Sequence, residues 1–227
     1  MKKSKIIVAL DSDNLIKTIN LVKKLKNEVY AFKIGYEFFF NFGIKGYKKI
    51  KIICPRIFLD LKLHDIPNTV NKGIKALQKL DPILTTIHIS GGDEMMKASK
   101  IKKNNTKILG VSILTSLDGS QTKKYYNEIK THEIVKKFVK EAKKMKLDGI
   151  VCSPKEIKYI RKIVKKNFLI VTPGIRLKKI DNKDDQKRTL TPNQAINLGA
   201  SLLVIGRPIT TSNDPLKTIR DINKSIS

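Results

Sequence analysis

Cysteine is scarce in this 227-residue chain. Cys54 and Cys152 are the only two, and their separation matches neither a metal-ligand spacing nor a disulfide framework. Long apolar runs are missing as well. No stretch of 18 apolar residues occurs, which excludes a membrane-spanning helix. The basic start Met1-Lys2-Lys3-Ser4-Lys5 leads into an apolar run of only Ile6 to Leu10, too short for the apolar region of a signal peptide. A soluble cytoplasmic chain is therefore expected. No Gly-, Ser- or Pro-rich linker divides the sequence, so one domain covering residues 1–227 is expected too.

Arginine is the other rarity. The formal net charge of +27 invites a nucleic-acid partner, but of 47 basic residues only six are Arg and 41 are Lys. Base-reading interfaces favour Arg for its bidentate geometry. The lysines are scattered and fall mostly on exposed helix faces. Ile and Asn are also abundant and share AT-rich codons with Lys, so genome bias accounts for the surface. No nucleic-acid or membrane partner is expected. The positive field serves at most to draw in an anionic substrate, an effect that salt screens.

What the chain does contain is a rhythm. Apolar, β-branched runs recur at Ile6–Leu10, Val29–Ile34, Ile57–Leu61, Leu84–Ile89, Ile108–Ile113, Gly149–Cys152, Phe168–Thr172 and Leu202–Ile205. They are continuously apolar, as parallel strands buried on both faces are. Between them lie helical stripes: Leu15, Ile16, Ile19, Val22 and Leu25; Val70, Ile74, Leu77 and Leu80; Ile134, Val135, Phe138, Val139 and Ala142. Eight strand–helix units in one domain spell an α/β fold, the (β/α)₈ TIM barrel. An open doubly wound sheet would want a glycine-rich first turn, and Leu10-Asp11-Ser12-Asp13-Asn14 has no glycine.

In such barrels the chemistry gathers at the C-terminal strand ends. Those ends read Asp11, Lys33, Asp60 with Lys62, His88, Thr115, Pro173-Gly174 and Gly206-Arg207. The segment Asp60-Leu61-Lys62-Leu63-His64-Asp65 is the densest. Alternation along a strand points Asp60 and Lys62 the same way, and Asp65 lies where a loop can swing it back toward the same pocket. Burying three charges together requires mutual neutralisation. A structural ion pair would satisfy that, but the gathering of polar residues at nearly every strand end favours an active site. Gly206-Arg207 follows the eighth strand, the usual phosphate position of this fold. Arg176 opens a long polar loop after the seventh strand, and Gln186 lies in it, so both can close over the same phosphate.

The chain resembles the orotidine 5′-phosphate decarboxylase family from Ile7 to Thr210. The resemblance rests on Val8-Ala9-Leu10-Asp11, Phe32-Lys33-Ile34-Gly35, Asp60 through Val70, His88-Ile89-Ser90-Gly91-Gly92, Leu114-Thr115-Ser116, Thr172 through Arg176, Asp184 through Arg188, and Ile205 through Thr210. It implies a cofactor-independent decarboxylation with no metal, in a homodimer with shared active sites. Asp11 and Lys33 would hold ribose hydroxyls, and Lys33 would also join the charge array. Asp60 would face the substrate carboxylate, and Lys62 would protonate the carbon that loses carbon dioxide. Asp65 and Thr69 would reach the neighbouring subunit's site. Thr115 and Pro173 would border the pyrimidine, while Gln186, Gly206 and Arg207, with Arg176 nearby, would bind phosphate.

A rival class shares the Asp-x-Lys-x-x-Asp pattern: 3-keto-L-gulonate 6-phosphate decarboxylase and its aldolase relative, hexulose-6-phosphate synthase. Those enzymes use Mg²⁺ and carry a Glu where this chain has Lys33, and an ammonium cannot ligate Mg²⁺. A basic nucleic-acid-binding barrel without catalysis is the alternative of a different kind, and intact Asp60, Lys62 and Asp65 speak against it. His64 is expected on the face opposite Lys62, making a structural hydrogen bond, and His88 in the wall of the site. With no phosphoribosyltransferase segment ahead of it, the chain is expected to be monofunctional.

Overall fold

A computed structural model describes residues 4–101, 105–177 and 189–226. Eight parallel strands close into a barrel in chain order, with the eighth pairing back onto the first. They are β1 (Ile6–Ala9), β2 (Ala31–Ile34), β3 (Ile57–Leu63), β4 (Leu84–His88), β5 (Lys107–Val111), β6 (Gly149–Val151), β7 (Leu169–Thr172) and β8 (Leu202–Ile205). The helices are α1 (Leu15–Leu25), α2 (Tyr36–Ile53), α3 (Pro67–Gln78), α4 (Gly92–Ser99), α5 (Gly119–Tyr126), α6 (Thr131–Lys144), α7 (Ile157–Arg161), α8 (Pro192–Asn197), α9 (Arg207–Thr210) and α10 (Pro215–Ser225). The fold expected from the strand–helix rhythm is the fold observed.

Strand residues divide by parity into two cores. Ile7, Ala9, Ala31, Phe58, Leu84, Leu109, Val171, Leu202 and Val204 fill the barrel interior. Their neighbours Ile6, Val8, Phe32, Ile34, Ile57, Leu59, Ile87, Ile150, Ile170 and Leu203 face the helices. Burial on both faces explains the unbroken apolar runs, because neither parity meets water.

Helix starts are set by local chemistry. Asn14 caps α1 by accepting from the Lys17 N–H, and Thr191 caps α8 with Gln194 completing a reciprocal capping box. Pro67 opens α3, where its missing N–H costs nothing. Of the expected stripes, that of α6 is buried apart from a half-buried Phe138, but Ile16 is a correction: it is 74% exposed, while Thr18 is buried. The inner face of α1 therefore runs Leu15, Thr18, Ile19, Val22, Leu25, and Ile16 falls off it by one step. Leu80 packs against the core from just beyond α3, which stops at Gln78.

Tyr47 ties α2 to the end of α3. Its ring is buried and its hydroxyl donates to the Leu80 carbonyl at 3.0 Å. Burial, and then the Asp81 charge, push its phenol well above the ordinary value. Tyr47→Phe should therefore cost about 1–2 kcal/mol by leaving that carbonyl short of a donor. Urea unfolding at neutral pH would measure it, and an unchanged midpoint would refute the assignment.

Candidate active site

The interior parity does not stop at the apolar core. On β1 it passes from Ile7 and Ala9 to Asp11, on β2 from Ala31 to Lys33, on β3 from Phe58 to Asp60 and Lys62, and on β4 from Leu84 to Thr86 and His88. The charged residues are the top layer of the barrel's filling, set on an apolar floor.

They form a line of alternating sign. The Asp11 Oδ1 lies 3.2 Å from the Lys33 Nζ, which lies 3.6 Å from the Asp60 Oδ2, which in turn accepts from the Lys62 Nζ at 2.9 Å. The Asp60 side chain is only 9% exposed. Burial opposes its charge, but the Lys33 and Lys62 ammonium groups, with hydrogen bonds from Lys62 and Thr86, outweigh it and hold the carboxyl below its ordinary value. Gly35 fits closely against this line. A Cβ there would sit 2.8 Å from the Lys33 Nζ and 3.2 Å from the Asp11 Oδ1, so a larger residue would have to displace the ammonium from its present position.

The backbone beneath the Asp60–Lys62 pair is irregular. Leu59 pairs with Thr85 and Leu63 with Ile87, so β3 spends four residues where β4 spends two. The excess is a bulge, and Lys62 takes a left-handed φ of 42° within it. The buried Thr86 side chain fills the broken ladder: its Oγ1 donates to the Asp60 Oδ1 at 2.8 Å and accepts from the Lys62 N–H at 2.9 Å. On the other side, the Lys62 Nζ lies 5.5 Å from the centre of the Tyr36 ring, and the Tyr36 hydroxyl donates to the Leu61 carbonyl.

A family profile described as Orotidine 5'-phosphate decarboxylase / HUMPS family matches residues 4–222. The chain belongs to that family. Among its relatives, the orotidine 5'-phosphate decarboxylase of Wolbachia sp. subsp. Brugia malayi (strain TRS) is 43% identical over 226 residues, spanning 98% of this chain and 99% of its own. That of Coxiella burnetii (strain RSA 331 / Henzerling II) is 43% identical over 228 residues, spanning 98% and 96%. The crystal structure of orotidine 5'-phosphate decarboxylase from Lactobacillus acidophilus superposes with a TM-score of 0.84 at 36% identity, covering 99% of this chain and all of that one.

Among the described residues, the remaining candidates after β5, β7 and β8 lie on the same rim of the barrel. Thr115 sits in the turn after β5, Pro173 directly after β7, Gly206 directly after β8, and Arg207 opens α9. Arg176 is half-buried, and one of its guanidinium nitrogens donates to the Ile175 carbonyl. Gln186 lies outside the described residues. Thr69 is exposed in the first turn of α3. Asp65 is the clearest correction. No loop swings it back to Lys62 of its own chain; it is exposed, and its Oδ1 accepts from the Ile66 N–H. Carboxylates commonly bond the backbone just ahead of a helix, and α3 begins one residue later.

His64 is also corrected. β3 ends at Leu63, and two residues beyond Lys62 the chain returns to the same side, so the His64 ring lies 5.1 Å from that of His88 and makes no hydrogen bond among the described residues. His88 does line the site. Burial first, then the charges of His64 and Lys62, push its imidazole down to about 4 despite the opposing pull of Asp60. It is neutral at physiological pH. Thr86 and Tyr36 were not anticipated. Thr86 stands two residues before His88 on the interior parity, a signal present in Leu84-Thr85-Thr86-Ile87-His88. Tyr36 follows Gly35 at a helix start and carries no comparable mark.

The depressed Asp60 carboxyl has a consequence for acid stability. Its charged form contributes stability that is complete above the unfolded-state value and is lost as pH falls through the lower folded value. Between about pH 5 and pH 3, Asp60→Asn should therefore lose less urea resistance than the parent chain. Parallel unfolding curves at pH 6 and pH 3.5 check this, and equal losses in both proteins would contradict it.

Proposed function

We propose that the protein decarboxylates orotidine 5'-phosphate to UMP and carbon dioxide, the last step of de novo UMP synthesis, using neither metal nor organic cofactor. The observation that carries this reading is the unbroken Asp11–Lys33–Asp60–Lys62 line on the barrel rim. Breaking the bond between the pyrimidine ring and its carboxylate leaves an electron pair on the ring carbon. Nothing in the sequence offers a thiamine or pyridoxal sink, so the protein's own charges must stabilise that pair. The Lys62 ammonium is fixed beside Asp60 and delivers its proton to that carbon as carbon dioxide departs. Asp60 holds Lys62 and faces the substrate carboxylate.

The other roles follow the rim. Asp11 and Lys33 take the ribose hydroxyls, and Thr115 and Pro173 border the pyrimidine. Gly206 and Arg207, with Arg176 and Gln186, take the phosphate. A Cβ on Gly206 would meet Ala9 only at 3.5 Å, so packing leaves the backbone there open to close approach by a phosphate. Binding energy from that distant phosphate supports orientation at the ring. The sugar-phosphate branch of the same family is disfavoured by Lys33, whose ammonium lies between two carboxylates where a Mg²⁺ site would need oxygen.

The working unit is a cytoplasmic homodimer of single-domain chains covering residues 1–227, with no nucleic-acid or membrane partner. Asp65 and Thr69 are exposed beside the rim, and Asp65 makes no ion pair with Lys62 of its own chain. Delivered from a second copy, the Asp65 carboxylate would extend the alternating line past Lys62. Exposed Ile66, Tyr36 and Phe40 supply apolar surface near the same edge.

Incubating the protein with orotidine 5'-phosphate should give the fall in pyrimidine absorbance that accompanies UMP formation, and the rate should survive exhaustive EDTA. Activity lost on chelation and restored by Mg²⁺ would reinstate the sugar-phosphate reading. Sharing of the site can be tested by refolding Lys62→Ala and Asp65→Ala chains together. With random pairing half the dimers are mixed, and half of their pockets are free of lesions, so about a quarter of parental activity should return. Confirmed heterodimers that stay inactive would place Asp65 in its own chain's site.

A further inference from the structure

From the geometry beneath the charge line we infer that Thr86 is a positioning residue for proton delivery by Lys62. This rests on the decarboxylase reading and assigns it a part outside the charged array. Three observations converge on one hydroxyl. Thr86 is fully buried on the interior face of β4. Its Oγ1 donates to the Asp60 Oδ1 and accepts from the Lys62 backbone N–H, tying the carboxylate to the lysine's main chain through a single oxygen. The register of β3 against β4 breaks between Leu59 and Leu63, so the ladder bonds that would otherwise hold Lys62 are interrupted there.

Each bond does separate work. The bond to Asp60 occupies the Oδ1, leaving the Oδ2 as the atom nearest both Lys62 and Lys33. That fixes the rotation of the carboxylate and the direction from which it grips Lys62. The bond from the Lys62 N–H holds a non-glycine residue at φ 42°, a left-handed region that L-residues disfavour. Without the hydroxyl, the Lys62 backbone is free to relax toward an ordinary strand conformation and carry its ammonium with it. The Thr85 hydroxyl, one residue earlier, donates instead to the Leu59 carbonyl and touches neither charge.

Such a role affects proton transfer far more than binding. Protonation of the ring carbon by Lys62 is reversible in principle: the Lys62 amine removes the ring hydrogen of bound UMP, and in D₂O the returning proton is a deuteron. Exchange at that carbon reads the placement of Lys62 with no bond to carbon dioxide broken. Thr86→Val removes the hydroxyl at nearly constant shape. Thr86→Ser and Thr86→Ala both lose the methyl and differ from each other in the hydroxyl.

For Thr86→Val we expect kcat on orotidine 5'-phosphate and the UMP exchange rate to fall together by about 10- to 100-fold, the scale of an ångström-sized misplacement. The dissociation constant of UMP should change by less than about threefold, because the phosphate and ribose contacts are untouched. Thr86→Ser should stay within about threefold of the parent, and Thr86→Ala should resemble Thr86→Val. The Ser–Ala pair decides the matter if the valine chain does not fold. The inference is overturned if Ser and Ala fall equally, if Val keeps kcat, or if UMP affinity drops as far as kcat. A parent protein with no action on orotidine 5'-phosphate would instead remove the decarboxylase reading itself.

Discussion

A buried carboxylate between two ammonium groups is the constraint on which the site depends. Asp60 is almost wholly withdrawn from water, and alone it would be protonated or would unfold the rim. Lys33 and Lys62 make its charge tolerable, and Asp11 in turn balances Lys33. Each ion is held in place because its removal strands a neighbour. Under the proposed decarboxylation, that dependence supplies fixed charge where charge would develop, and such charge need not reorganise during reaction.

The barrel makes the arrangement possible. Its interior is filled in layers, and a side chain one step above the apolar floor is held from below and from the sides while its tip meets the pocket. Four consecutive strands each contribute a charged or polar side chain to the rim above the apolar filling. The Lys33 and Asp60 positions come from adjacent strands: Lys33 pairs with Phe58, and Asp60 stands two residues further along β3 on the same face. The apolar floor of Ala9, Ala31, Phe58 and Leu84 excludes water from beneath the charges.

The fold, and the four charged side chains that the structure brings together, could be read directly from the sequence. Continuous apolar runs of strand length, separated by helical stripes, leave few architectures besides a parallel barrel, and its strand ends then single out Asp11, Lys33, Asp60 and Lys62. What could not be read was conformation off the regular grid. The bulge in β3 has no glycine or proline to announce it, so the part played by Thr86 was hidden. The loop reading misplaced Asp65 relative to Lys62 of its own chain, because strand geometry says nothing about a loop and a carboxylate beside a helix start has a local backbone partner within reach. His64 was put on the wrong face although two-residue spacing already set it on the side of Lys62. Ile16 failed for a simpler reason: an apolar residue at a helix's exposed position costs little, and hydrophobicity alone does not reveal it.

The bulge bears on how such a site can be moved to another protein. An idealised, bulge-free strand carrying Asp60, Lys62 and their spacing would keep both side chains on the inner face. It would lack the local kink, the left-handed lysine and the threonine beneath them. A graft limited to β3 would then reproduce the residues and lose their aim. The transferable unit is the strand pair, β3 together with β4, and a designer who copies the motif must copy the defect in the sheet along with it.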